Sequence, residues 1–131
     1  MRTLIAEDDF TSRLLLQAFL SRYGECHVAI NGQEAVETFR MSLANGRRYN
    51  LVCMDIMMPE KDGQEAVREI RAMEEAAGFL STSGSKIIMI TALDDVKNVV
   101  TSFKSLCDAY VFKPVDIAQL LAQLKSMQLV P

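Results

Sequence analysis

Five short apolar runs recur along the chain, separated by segments with helical spacing, and this alternation constrains the fold more than any single residue does. The runs cover residues 3–6, 26–30, 51–54, 87–90 and 109–112. The first, third and fourth are almost unbroken in apolarity, as parallel strands are when both faces of a sheet are covered. Between them, Leu15, Ala18, Phe19 and Arg22 mark a first helix, with Phe19 on its apolar side. Ala35, Val36, Phe39 and Leu43 mark a second, and Val67, Ile70 and Met73 a third. Val96, Val99, Val100 and Phe103 repeat at i, i+3, i+4 and i+7, as do Ile117, Leu120, Leu121 and Leu124. Asn31-Gly32, Asp62-Gly63, Asp94 and Asp116 supply helix starts at the right intervals. A strand–helix unit repeated five times predicts an α/β fold with right-handed crossovers. The expected architecture is a doubly wound five-stranded parallel sheet with five helices on its two faces.

Composition sets the outer bounds. Half of the 131 residues are hydrophobic, enough for a buried core and too many for disorder. The length suits one domain over residues 1–131, with no output domain expected. With 14 basic and 17 acidic side chains the formal charge is -3, which argues against a nucleic-acid binder. No apolar run approaches the roughly 18 residues of a membrane span. The first run turns acidic at Glu7, too early for a secretory signal, so a cytoplasmic location is expected. Cys26, Cys53 and Cys107 form no CxxC pair and read as reduced thiols. The eight methionines read mostly as core filler, and His27 as a surface residue of the second strand. Residues 78–85, rich in serine and glycine, read as a loose loop.

The polar residues that matter stand at strand ends. The first strand runs into Glu7-Asp8-Asp9, the third into Asp55, the fourth into Thr91 and the fifth into Lys113. In a parallel sheet these C-terminal ends share one edge, with neighbouring strands about 4.8 Å apart. Ligands of open α/β sheets bind at that edge, where the strand order reverses. Carboxylates, a hydroxyl and an ammonium gathered there suit a hard cation and an anionic group, and magnesium fits best. Taken singly, each residue has a plainer role. Asp8 and Asp9 serve equally well as helix-capping acids, Thr91 as a turn residue, and Lys113 as a surface lysine before the helix starter Pro114. Asp55 is harder to dismiss, since an unpaired buried charge is costly. Their coincidence at four strand ends favours a site. Two carboxylates about 4 Å apart repel by about 4 kcal/mol at an effective dielectric near 20, so an empty site is expected to be strained.

These residues carry a resemblance. Ala6-Glu7-Asp8-Asp9, Met54-Asp55-Ile56-Met57-Met58-Pro59 with Asp62-Gly63, Ile90-Thr91-Ala92 and Asp108-Ala109-Tyr110-Val111-Phe112-Lys113-Pro114 follow one another in order. Over essentially its whole length the chain resembles the receiver domains of two-component response regulators, in particular the stand-alone chemotaxis type. The resemblance implies a flavodoxin-like sheet of strand order 2-1-3-4-5. It implies that Asp55 accepts a phosphoryl group from a histidine kinase or phosphotransfer protein. Asp9 and Asp55 would bind Mg2+ (or Mn2+) directly, Asp8 through water, and the Met57 backbone carbonyl would complete the set. Lys113 would contact the phosphoryl oxygens, Thr91 and Tyr110 would form the switch, and the peptide before Pro114 would be cis. Met57 and Leu93 would border the path of a hydrolytic water. A downstream protein would dock on the fourth helix, fifth strand and fifth helix. Such a protein is a switch and not an enzyme beyond its own phosphorylation and dephosphorylation. Lys61 before Asp62-Gly63, where an apolar residue is common, and Leu106, where a glycine commonly ends the fourth helix, depart from the family pattern.

Other functions meet specific objections. A magnesium-dependent phosphohydrolase using Asp55 as nucleophile would want an acid two residues later, where Met57 stands. A mononucleotide or flavin binder would need a glycine- or hydroxyl-rich loop after the first strand, and Glu7-Asp8-Asp9 repels phosphate unless a metal intervenes. A phosphate sink or relay without direct output remains an alternative use of the same site.

Overall fold

A computed structural model of the chain describes residues 1–79, 83–92 and 106–131. Within them five strands form one parallel sheet: β1 (Thr3–Ala6), β2 (Cys26–Ala29), β3 (Leu51–Asp55), β4 (Lys86–Ala92) and β5 (Ala109–Lys113). Their order is β2-β1-β3-β4-β5. The described helices are α1 (Phe10–Leu20), α2 (Gly32–Ala44), α3 (Gly63–Ala76) and α4 (Ile117–Ser126), with a short 3-10 turn at Ser21–Tyr23. This is the doubly wound α/β architecture that the alternation predicts. The fourth helix of the sequence pattern, with Asp94 and Leu93, lies outside the described residues, as does the middle of the serine-rich loop. Among the described residues, no helix is long and apolar enough to cross a membrane.

The alternation along each central strand explains why the runs read as continuously apolar. Leu4 and Ala6 of β1, Val52 and Met54 of β3, and Ile87 and Met89 of β4 pack in one core with Val36 and Phe39 of α2 and Val67 and Ile70 of α3. Ile5, Leu51, Cys53, Ile88 and Ile90 point to the other face, against Leu16, Phe19 and Leu20 of α1 and Leu120 and Leu124 of α4. Each fully buried aliphatic side chain contributes about 1.5–3 kcal/mol, so neither layer can be peeled away cheaply. On α1 the buried face is Leu16, Phe19 and Leu20, while Leu14 and Leu15 are exposed. The expected marker Leu15 is therefore on the outer side. Three leucines in a row made the phase of this helix ambiguous, and the core selects the third.

Local chemistry starts each helix. Asp9, Asn31, Asp62 and Asp116 are the N-caps, their side chains accepting backbone N–H groups of the first turn. Two glycines bring loops together at the C-terminal edge of the sheet. A Cβ on Gly63 would lie 2.1 Å from the carbonyl oxygen of Asp55, and one on Gly32 would lie 1.8 Å from that of Lys61. Only glycine allows α3 to start directly against the end of β3, and α2 to start against the β3–α3 loop. Lys61 itself forms an ion pair with Glu69 of α3.

Candidate functional site

β1 and β3 are the neighbours at which the strand order reverses, and the acids collect just beyond their ends. Glu7 continues the β1 ladder, its backbone N–H donating to the carbonyl of Ala29 at 3.0 Å, and its side chain is fully buried. Asp55 closes β3 and is also buried. Carboxylate oxygens of Glu7, Asp8 and Asp55 lie within 4.8 Å of one another. Lys113, at the end of β5, reaches across with Nζ 2.8 Å from Glu7 Oε1 and 3.3 Å from Asp55 Oδ2. The Lys113–Pro114 peptide is cis.

The electrostatics of this group are unbalanced. Burial, and then the neighbouring Glu7 carboxyl, push the Asp55 carboxyl up to about 8, against the pull of Lys113. Burial works against the charge on Lys113, but Glu7 and Asp55 outweigh it and raise the ammonium above its usual range. One ammonium thus serves two buried acids, with a third close by. The shortfall is positive charge, and the donors are hard oxygens, which is the chemistry a divalent cation such as magnesium satisfies.

Asp9 does not belong to the group. It is exposed, and its Oδ2 accepts the backbone N–H of Ser12 at 2.8 Å as the cap of α1. Those hydrogen bonds hold its carboxyl below the usual range. Of the two readings open for the consecutive acids, the cap applies to Asp9, and Glu7 takes the position beside Asp8 and Asp55 that the resemblance gave to Asp9. The phase of α1 carries the signal: with Leu16, Phe19 and Leu20 buried, the helix starts at Phe10 and its cap must be Asp9. Arg13 was not anticipated either. Its Nη1 donates to the carbonyls of Glu7 and Asp8 at 3.0 and 3.3 Å, bracing the acidic turn from behind.

Thr91 and Met57 adjoin the group, while Tyr110 stands further back along β5. Thr91 stands on β4, one residue beyond Ile90, the partner of Asp55 across the sheet. It is buried, and its hydroxyl donates to the adjacent Ala92 carbonyl at 3.3 Å. Tyr110 is half-buried on β5, where burial, and then the facing Cys107 thiol, raise its phenol above the ordinary value. The Met57 N–H donates to Asp55 Oδ1 at 3.3 Å, and its side chain is 67% exposed. Leu93, the other residue expected at the water path, lies outside the described residues.

Comparison with known proteins decides the family. The family model for the response regulator receiver domain matches residues 3–125. The chain belongs to the response regulator receiver domains. The receiver is 33% identical over 127 residues to a probable transcriptional regulator, ycf27, of Cyanophora paradoxa, covering 96% of this chain and 47% of the relative. It is 33% identical over 125 residues to the transcriptional regulatory protein SrrA of Staphylococcus aureus, covering 95% of this chain and 46% of that protein. The chain thus spans about half the length of these curated relatives. Among solved structures, it matches the receiver domain of the histidine kinase CKI1 from Arabidopsis thaliana complexed with Mg2+ and BeF3- at a TM-score of 0.82. That match has 26% identity and covers 98% of this chain and 90% of the other. It also matches the receiver domain of a Saccharomyces cerevisiae response regulator, co-crystallised with its histidine phosphotransfer signaling protein. The TM-score is 0.80 with 28% identity, over 99% of this chain and 92% of that one.

Proposed function

We propose that this receiver accepts a phosphoryl group on Asp55 and thereby changes its affinity for a downstream protein, in the cytoplasm. The observation that carries the reading is the buried Asp55 carboxylate at the sheet's reversal point, under the Lys113 ammonium and beside the Glu7 and Asp8 carboxylates. A carboxylate is a competent nucleophile toward phosphorus, as in aspartyl-phosphate intermediates. An Asp55 oxygen forms the new P–O bond as the P–N bond to the donor histidine breaks, giving an acyl phosphate. Transfer of this kind depends on positioning and charge neutralisation more than on covalent assistance. Lys113 moves from the carboxylates to the phosphoryl oxygens. Asp8 and Asp55, with Glu7, would hold a magnesium (or manganese) ion, which would supply the remaining positive charge, and the Met57 carbonyl would be a further oxygen ligand. Thr91, whose hydroxyl donates to the carbonyl of its neighbour Ala92 at 3.3 Å, turns toward the new phosphoryl group, and Tyr110 follows inward.

The donor is a histidine kinase or phosphotransfer protein, a reading supported by the yeast receiver co-crystallised with such a protein. The downstream protein docks on β5, α4 and the segment preceding β5. A phosphate sink or relay would use the same chemistry. The test is intact-mass spectrometry after incubation with phosphoramidate and magnesium. Wild type should gain one phosphoryl group and Asp55→Asn none; equal labelling of both would remove Asp55 as acceptor.

A further inference from the structure

At the opposite edge of the sheet, below β1 and β2, a second set of charged groups surrounds an open space. Glu25, just before β2, binds three of them. Its Oε2 accepts Arg2 Nη1 at 2.6 Å and Arg47 Nη2 at 3.3 Å, and its Oε1 lies 2.7 Å from His27 Nε2. His27 Nδ1 is in turn 2.5 Å from the Tyr49 hydroxyl, and the Arg2 guanidinium sits over the Tyr49 ring, 5.1 Å from its centre. Arg2, His27, Arg47 and Tyr49 form one side of a cavity of about 220 Å³, and Thr38 of α2 and Asn45, the residue capping its C-terminus, lie on the other.

The charge around this cavity does not balance. None of its lining residues is acidic. Two guanidiniums share the single Glu25 carboxylate, so one positive charge is left over with His27 neutral and two with it protonated. A guanidinium carries five N–H groups, of which Glu25 accepts one from Arg2 and one from Arg47. Glu25 orients both arginines from behind without lining the cavity. The volume is below the roughly 300–1,000 Å³ of clefts that take drug-sized molecules, which limits an occupant to a small metabolite.

We propose that this cavity binds a small organic anion bearing a carboxylate or phosphate group. Arg2 and Arg47 take the charged end, and the Thr38 hydroxyl and Asn45 amide meet the remainder. The site is separate from the acidic edge, so its fate does not depend on the phosphorylation reading.

His27 is the one histidine of the chain, so its imidazole NMR signals report on the cavity without overlap. The experiment titrates the full chain, in metal-free buffer at fixed pH, with inorganic phosphate and separately with succinate. Sodium chloride at matched ionic strength is the control. The expected result is a saturable shift of the His27 signals with at least one of the two probes and not with chloride. Saturation by phosphate alone assigns a phosphate-bearing ligand, and saturation by succinate alone a carboxylate. Arg47→Gln, at an exposed position that tolerates change, should weaken the saturating probe tenfold or more. A linear drift equal to that in chloride, or saturation unchanged by Arg47→Gln, overturns the proposal.

Discussion

The two edges of the sheet each bury acids, and they treat them in opposite ways. At the N-terminal edge, Glu74 of α3 is fully provided for. Arg71 Nη1 donates to its Oε1 at 2.7 Å, and the Ser85 N–H donates to its Oε2 at 2.6 Å. The same guanidinium ties down the carbonyls of Leu106 and Ser85 and the carboxylate of Asp108, which also accepts the N–H of Ile87. At the C-terminal edge, Glu7 and Asp55 divide one ammonium, and Asp8 stands beside them. The Glu74–Arg71 cluster is complete as it stands and serves the fold. The other is left short of positive charge, and this is what makes it competent to receive a cation and then an anion.

The contrast predicts opposite signs for substitutions at the two edges. Arg71→Ala leaves the buried Glu74 without its guanidinium partner, and should cost about 3–5 kcal/mol of stability, as breaking buried pairs does. Asp55→Asn removes an acid whose ionisation the fold opposes, and should stabilise the metal-free protein at neutral pH. Urea denaturation of both variants in metal-free buffer measures the pair. Destabilisation by Asp55→Asn comparable to that of Arg71→Ala would erase the distinction between the edges.

Magnesium should act on the acidic edge alone. A ligand that binds only the folded state stabilises by about 2.7 kcal/mol at a hundredfold excess over its Kd. Thermal melts with and without magnesium should show such a rise in wild type and in Arg47→Gln. The rise should be lost in Asp8→Asn and strongly reduced in Glu7→Gln. A full response in Asp8→Asn would place the cation elsewhere.

The pH dependence sharpens the same point. The Asp55 carboxyl is raised to about 8 in the folded protein. Between the ordinary carboxyl value and about 8, the folded state keeps a proton that the unfolded chain has released. Stability from this group therefore falls as pH rises through that window, and changes no further above it. Metal-free urea melts between pH 5 and 8 should show this loss in wild type and a flatter profile in Asp55→Asn. Saturating magnesium should flatten the wild-type profile too, because the cation favours the ionised carboxylate.

How much of this was legible in the sequence differs between the edges for a physical reason. Short apolar runs and helical spacing are local, so five strands and the helices around them could be read from the chain. The convergence of Asp8, Asp55, Thr91 and Lys113 on one edge followed from parallel topology alone. Which of three consecutive acids enters the group depended on the phase of α1, and Leu14-Leu15-Leu16 hid that phase until the core selected Leu16. The contacts of Arg71 with Leu106 and Asp108, and of His27 with Tyr49, join residues distant in sequence with no shared motif. His27, expected as a plain surface residue, is held between two side chains for this reason.

The smallest predicted effect tests the reassignment of the acids. Asn and Asp are nearly equal as N-caps, so Asp9→Asn should change stability little, while Asp9→Ala should cost about 1 kcal/mol through loss of the bond to Ser12. If Asp9 serves only as a cap, both variants keep the full magnesium-induced rise in melting temperature, and the loss in Asp9→Ala is the same with and without magnesium. If Asp9 instead swings from the cap to bind the cation, Asp9→Asn folds as well as wild type but loses most of its magnesium response. The two substitutions thus separate capping from coordination at one residue, and a weakened response in Asp9→Asn would return this acid to the ligand set in place of Glu7.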